Sequence, residues 1–340
     1  MTRPWAPGAV TGIGSLPGTD PVDAAALVFG ELPDLPFLPE LPNRGAGADM
    51  IGRSAALLVD LPVEIVPSGW RFASHEGRDL RRSRDYLAWD LDALEHQADG
   101  YAGPLKVQVA GPWTLAASLE LPTGHAVVSD HGATRDLAES LREGLAAHLA
   151  EIARRVPSAQ LVLQIDEPSL PAVLAGRVPT PSGYGTIRAV ERSVVEPVLH
   201  ELFELVPSGR VAHCCAPGVP IDLLRSAGAD AIAVDASLLT SADNDALGEA
   251  VDAGVSLWLG VVPGTDAEID FASAREPIRR IWSTLGFGAD DLAAAVVPTP
   301  ACGLAGASPA YVRRVFSVLR DVGADLVDPV GERAAADGDA

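Results

Sequence analysis

Gln160-Leu-Val-Leu-Gln-Ile-Asp-Glu-Pro168 is the stretch that decides the fold class of this chain. Apolar residues fill it almost without a break, the pattern of a parallel strand covered on both faces. A long amphipathic helix, Thr134 to Val156, leads into it. Two carboxylates, Asp166 and Glu167, stand where it ends before Pro168. Neighbouring strand-end acids are candidates for catalytic work, although one can equally cap a helix while the other stays solvated.

Working outward, helices and strands keep alternating. Downstream the pattern predicts a helix over 187–206, a strand ending at His213, a helix over 221–226 and a strand over 231–235. It continues with a helix over 243–252, a strand over 255–262, a helix over 271–284, a strand over 294–297 and a helix over 309–322. Upstream, residues 105–110 read as a strand running into a loop, and 90–98 as a helix. Ala9-Val-Thr-Gly-Ile-Gly-Ser15 reads as the first strand, with Gly12 and Gly14 permitting close backbone approach. Asp20-Pro21 caps and opens a helix, and the stretch from Asp49 to Leu58 resumes helix periodicity. The proline-rich 33–42 stretch reads as a short second strand with Glu40 at its exit. Residues 65–85 are mostly polar and read as an inserted hairpin or loop over the mouth of the fold. This alternation predicts an α/β protein, a single (β/α)8 TIM barrel over residues 1–330, followed by a flexible acidic tail at 331–340.

With 340 residues and 48% apolar content, the chain can bury a core of that size. Its net charge is −21 and Lys106 is its only lysine, which argues against nucleic acid or anionic membrane surfaces as partners. No apolar run has the length of a membrane span, and no signal-type segment is visible, so the expected compartment is the cytoplasm.

The three cysteines fall in two places: His213-Cys214-Cys215, and Cys302 within Pro298-Thr-Pro-Ala-Cys-Gly-Leu304. Each place follows a short apolar run. Carboxyl ends of parallel barrel strands converge on one face, so His213, Cys215 and Cys302 can meet there as a zinc site of imidazole and thiolates. Asp235, at another strand end, is a candidate weak fourth ligand. Cys214 should point away from its neighbours and pack in the core. The competing interpretation is three inert buried thiols and a core histidine.

Ile13-Gly-Ser-Leu-Pro, Gly111-Pro-Trp-Thr, Gln164-Ile-Asp-Glu-Pro, His213-Cys-Cys and Cys302-Gly-Leu occur in the order found in the cobalamin-independent methionine synthase family. The chain resembles the C-terminal catalytic barrel of that family, in a short, single-barrel form. The resemblance implies a barrel of the uroporphyrinogen decarboxylase/methionine synthase type. It implies a zinc-dependent methyltransferase that gives methionine from homocysteine, or methylates a similar thiol, with methyltetrahydrofolate or a methylated corrinoid (free or on a corrinoid protein) as donor. It makes His213, Cys215, Asp235 and Cys302 the Zn2+ ligands, with Asp235 standing where the family has a glutamate. Ile13 and Ser15 would hold the amino acid's carboxylate, and Asp166, assisted by Glu40, its ammonium.

The chain also departs from the family pattern. Gly260–Asp266 contains no counterpart of the family's proton-donor histidine, and a second acid near the amino-acid site is replaced around Gly52. The tryptophan expected beyond Gly-Pro-x-Thr to cover a pterin is absent, unless Trp113 or Trp70 takes its place. Two other functions stay open. One is a tetrapyrrole decarboxylase using Arg44, Arg53 and the arginines of 78–84; the other is a non-catalytic barrel that binds zinc and a thiol.

Overall fold

The computed structural model describes residues 3–328; the predicted tail at 331–340 lies outside them. In chain order, α1 (Pro21–Glu31) and α2 (Met50–Ala55) precede a hairpin of β1 (Val63–Val66) and β2 (Gly69–Phe72). Then come α3 (Arg78–Gln97), β3 (Pro104–Ala110), α4 (Pro112–Ser118), the two-residue β4 (Leu119–Glu120) and α5 (His131–Arg155). The remainder is β5 (Gln160–Asp166), α6 (Leu170–Leu174), α7 (Arg192–Phe203), β6 (Arg210–Cys214), α8 (Ile221–Ser226), β7 (Ala231–Asp235) and α9 (Asn244–Asp252). It closes with β8 (Ser256–Val262), α10 (Phe271–Leu285), α11 (Ala289–Ala295), β9 (Val296–Pro300) and α12 (Pro309–Val327).

The central sheet is parallel, six strands in the order β3-β5-β6-β7-β8-β9. Two extended segments prolong it past β3 without forming full strands. Phe37 bridges Lys106, and Ser15 bridges Glu40, both in parallel. At the opposite edge the N–H of Leu304, just beyond β9, donates to the Ser15 carbonyl at 2.8 Å. The first two predicted strands are therefore present as extended chain held by single bridges. Prolines at 33, 36, 39 and 42 deny that region the N–H groups a regular ladder needs.

Strand alternation sorts side chains to two faces. On β6, Ala212 and Cys214 pack in the large cluster that includes helix residues, whereas Val211 joins a separate cluster with Trp5, Ala9, Leu35, Val162, Ala231, Ala233, Trp258 and Val297. That second cluster fills the inner side of the curled sheet, with Trp5 edge-on to Trp258 at 5.1 Å between ring centroids. Burying each such aliphatic or aromatic side chain contributes about 1.5–3 kcal/mol, so the plug is a large stabilising element. Further along the same inward-facing positions the residues turn polar: Lys106 and Gln108 on β3, Gln164 and Asp166 on β5, His213 on β6. The apolar plug thus lies toward the amino ends of the strands and a buried polar layer toward their carboxyl ends.

The predicted Asp20 cap forms, and Asp49 caps the next helix as well. Asp20 accepts from Val22 N at 2.8 Å, and Asp49 from Gly52 N at 2.7 Å. The inserted hairpin is present, but α3 begins at Arg78 and takes the second half of the stretch expected to be hairpin or loop. Leu80, Ser83, Tyr86 and Leu87 form its buried face at helical spacing, a stripe masked by the charges between them. Likewise α7 starts at Arg192 rather than 187, because Ile187 and Val190 donate to the Val178 and Val173 carbonyls instead of entering the helix. The strand expected at 294 begins at Val296, after a short helix, α11, that its alanines support.

Candidate active site

Register brings the key residues together. Ala110 pairs with Asp166 across β3 and β5, and Asp166 with His213 across β5 and β6, so the three lie level at the carboxyl ends. His213 Nδ1 lies 2.7 Å from Asp166 Oδ1, and both side chains are buried. The other ring nitrogen, Nε2, is buried and has no hydrogen-bond partner. Such an arrangement, one imidazole nitrogen held by a carboxylate and the other open, is that of a histidine prepared to ligate a metal.

Two residues past the β6 histidine, Cys215 Sγ is 3.4 Å from Cys302 Sγ, although 87 positions separate them in sequence. Two Zn–S bonds of about 2.3 Å at a tetrahedral angle place sulfurs roughly 3.8 Å apart, so this pair is nearly at metal-chelating distance. Cys302 is pulled below the usual thiol range to about 6, first by the hydrogen bond from Cys215, then by His213 and the Gly303 N–H. Cys215 is pushed up by that same hydrogen bond and by burial. The two sulfurs thus share a hydrogen bond that favours the thiolate on one of them. Cys214 faces the helix-covered core, where burial pushes its thiol up to about 12.

Asp235 ends β7 one step beyond the Cys214–Val234 pair, level with Cys215. Its Oδ1 accepts from Ser237 N at 2.9 Å and from Ser237 Oγ at 2.6 Å, closing its own turn. Among the described residues no three His, Cys, Asp or Glu side chains already converge as a ready metal cluster. The two sulfurs and the orphaned imidazole nitrogen have the chemistry of zinc donors; the Asp235 carboxylate, expected as fourth ligand, is turned to its own loop.

Glu167 takes a different place from Asp166. It is buried and accepts from Trp113 N at 3.0 Å, Thr114 N at 2.8 Å and Thr114 Oγ1 at 2.7 Å, capping the first turn of α4. Burial pushes its carboxyl up to about 7 in spite of these donors. A Cβ on Gly111 would collide with its carboxylate. Glu167 thus fixes the Gly-Pro-Trp-Thr turn against the end of β5 rather than facing the cysteines.

Ile13 and Ser15 lie on the extended first segment, Ile13 buried and Ser15 half-buried. Glu40 is buried; Gln108 Nε2 donates to it at 3.2 Å, and Arg53 Nε is 3.9 Å away. Desolvation pushes Glu40 up to about 7, with Arg53 opposing and Asp166 reinforcing the shift. Three polar residues missed from sequence complete the layer. Lys106 Nζ donates to Ile13 O at 2.8 Å and to Gln108 Oε1 at 3.2 Å. Gln164 Nε2 donates to Ile13 O at 2.9 Å and to Asp166 Oδ1 at 2.7 Å. Burial draws Lys106 down to about 7, against the pull of Asp166 and Glu40. The signal was present: Lys106/Gln108 and Gln164/Asp166 are polar residues two apart in otherwise apolar strands, hence on one face.

The alternative site features fare differently. The side chains of Arg44 and Arg53 are buried and both pair with Asp90, so they are not displayed to a polyanionic substrate. Trp113 is 1% exposed and Trp70 6%; both pack in the core, and neither offers a face on which a pterin could stack.

A parallel, curled α/β sheet with thiols, an imidazole and acids at its carboxyl ends defines the class of site. A family model described as the catalytic domain of cobalamin-independent synthase matches residues 8–324, and the chain belongs to that family. Among solved structures it is similar to a B12-independent methionine synthase from Shewanella sp. W3-18-1 in complex with selenomethionine. The TM-score is 0.63 at 13% identity, over 95% of this chain and 98% of that one. Weaker likenesses are a Cellulomonas fimi endo-beta-1,4-mannanase double mutant, with TM-score 0.41 at 14% identity over 72% and 59% of the two chains, and a Streptomyces cattleya GH5_18 protein in complex with GlcNAc, with TM-score 0.42 at 13% identity over 94% and 80%. No curated protein matches the chain. Among the described residues, no helix is long and apolar enough to cross a membrane.

Proposed function

We propose that this protein is a zinc-dependent methyltransferase that methylates homocysteine, or a closely similar thiol, to give methionine. The single observation that carries this reading is the meeting of Cys215 and Cys302 at 3.4 Å beside a histidine whose Nε2 is buried and unpartnered. His213, Cys215 and Cys302 would hold the zinc, with Asp235 as fourth ligand once it leaves Ser237. Bound zinc would supply the Lewis acidity that keeps a substrate thiol ionised near neutral pH.

The chain's own residues do the rest. Asp166 holds the His213 tautomer through Nδ1. The Ile13–Ser15 segment offers backbone N–H groups and a hydroxyl to the substrate carboxylate, while Asp166, assisted by Glu40 as a hydrogen-bond partner, takes its ammonium. Glu167 acts by fixing the α4 turn beside Asp166. For the methyl donor we favour a methylated corrinoid over methyltetrahydrofolate, supported by the burial of Trp113 and Trp70 and by the net charge of −21, which suits a folate polyglutamate poorly. We further read the sheet as a closed (β/α)8 barrel over the described residues, supported by the Ser15–Glu40 and Phe37–Lys106 bridges and the Leu304–Ser15 hydrogen bond. A cytoplasmic setting suits three cysteines that form no disulfide.

Methionine formation from homocysteine, assayed separately with methylcobalamin and methyltetrahydrofolate, tests this function. Product with methylcobalamin alone is expected. The absence of a histidine from Gly260–Asp266 favours one competing reading, a zinc and thiol-binding barrel without turnover. Homocysteine binding with no product from either donor would establish that reading instead.

A further inference from the structure

Beneath the candidate site runs an unbroken buried hydrogen-bond chain whose centre is a backbone atom. Ile13 O accepts from Lys106 Nζ at 2.8 Å and from Gln164 Nε2 at 2.9 Å. From Gln164 the chain passes at 2.7 Å to Asp166 Oδ1, the same oxygen that holds His213 Nδ1 at 2.7 Å. From Lys106 it passes to Gln108 Oε1 at 3.2 Å, and Gln108 Nε2 reaches Glu40 at 3.2 Å and Leu38 O at 2.6 Å. Lys106 and Gln164 are fully buried, and the Lys106 ammonium also sits 5.0 Å over the Phe37 ring.

Burying the chain's only lysine is costly, and a core built for stability alone would do better with an apolar residue there. What the lysine and the glutamine do together is hold one carbonyl from two sides. The peptide unit is planar, so fixing Ile13 O fixes the plane shared with Gly14 and the path onward to Ser15. Gly14 itself is packed so closely on Gln108 that a Cβ there would lie 2.9 Å from Gln108 Cγ. The segment therefore cannot slide along β3 without breaking several buried bonds at once.

We propose that Lys106 and Gln164 are positioning residues for the amino-acid end of the thiol substrate. By locking Ile13–Ser15 to the Asp166–His213 pair, they set the separation between the place that takes the α-carboxylate and the place that takes sulfur. The site then selects an α-amino-acid thiol over a plain alkanethiol by built-in spacing. The inference rests on the proposed function, and the experiment separates the two.

Zinc-loaded wild type, Lys106→Met and Gln164→Met are titrated calorimetrically with homocysteine and with 1-propanethiol, and zinc content is measured in each. Both variants should keep wild-type zinc content, bind homocysteine at least tenfold more weakly and bind propanethiol within twofold of wild type. Equal weakening for both thiols, or unchanged homocysteine binding, would overturn the positioning role. If Lys106→Met does not fold, Gln164→Met decides, since it removes the second bond to Ile13 O and leaves the Lys106 charge in place, while its zinc content reports on the lost bond to Asp166. A wild type that binds propanethiol but shows no preference for homocysteine also overturns it. Failure of zinc-loaded wild type to bind either thiol removes the proposed function, and this inference with it.

Discussion

Replacing Asp166 by Asn tests how the site prepares its imidazole. In the native protein one Asp166 oxygen accepts from both His213 Nδ1 and Gln164 Nε2, each at 2.7 Å. Asn retains an amide oxygen that can accept both bonds, so the fold and the imidazole tautomer should survive. It removes the negative charge, which polarises the imidazole and strengthens Nε2 as a donor to metal. It also places an NH2 group where the second carboxylate oxygen stood. Carboxylates that support a ligating histidine are each worth about 10–100-fold in metal affinity, or roughly 1.4–2.7 kcal/mol. That agrees with the roughly 1.5–3 kcal/mol of a hydrogen bond to a charged group. Zinc affinity measured by competition with a chromophoric chelator should therefore fall by one to two orders of magnitude, while the thermal midpoint of the metal-free protein changes little. An Asp166→Asn dissociation constant within twofold of wild type would refute the argument that this contact prepares a metal ligand.

Other consequences concern the surrounding core. Glu167 titrates near 7 in the folded protein and near 4.5 unfolded, so the folded state holds the extra proton between these values. Its favourable contribution is full below pH 4.5 and is lost as pH rises through 7; the stability deficit of Glu167→Gln relative to wild type should accordingly shrink across that window in thermal melts. Gly111→Ala drives a methyl into the Glu167 carboxylate and should cost about 1–3 kcal/mol, lowering the urea midpoint. Cys214→Ala should lose about 1 kcal/mol of packing and leave zinc content unchanged, because that sulfur faces the helix-covered core; reduced zinc in this variant would contradict the strand alternation.

Much of this was legible in the residues. Continuous apolar strands such as Gln160–Asp166, and a cap such as Asp20, carry their structure locally, and the structure bears them out. The pairing of Cys215 with Cys302 and the outward turn of Cys214 follow from strand-end convergence and period-two alternation, which need no tertiary detail. What escaped was set by partners distant in sequence. Arg78–Asp85 looks like a polar loop until Leu80 and Tyr86 meet the core and make it helix. Glu167 reads as half of an acid pair until α4 arrives with its free N–H groups to claim it. Lys106 and Gln164 gain meaning only through the Ile13 carbonyl, 93 and 151 positions away.

The account stands or falls on whether the imidazole and the two sulfurs hold one metal ion. Zinc stoichiometry in the native protein and in Cys215→Ser and Cys302→Ser, purified in parallel and measured by elemental analysis, tests this most directly. About one zinc per chain in wild type and a large loss in both variants is the predicted result. Full zinc occupancy in both serine variants, or none in the native protein, would contradict it.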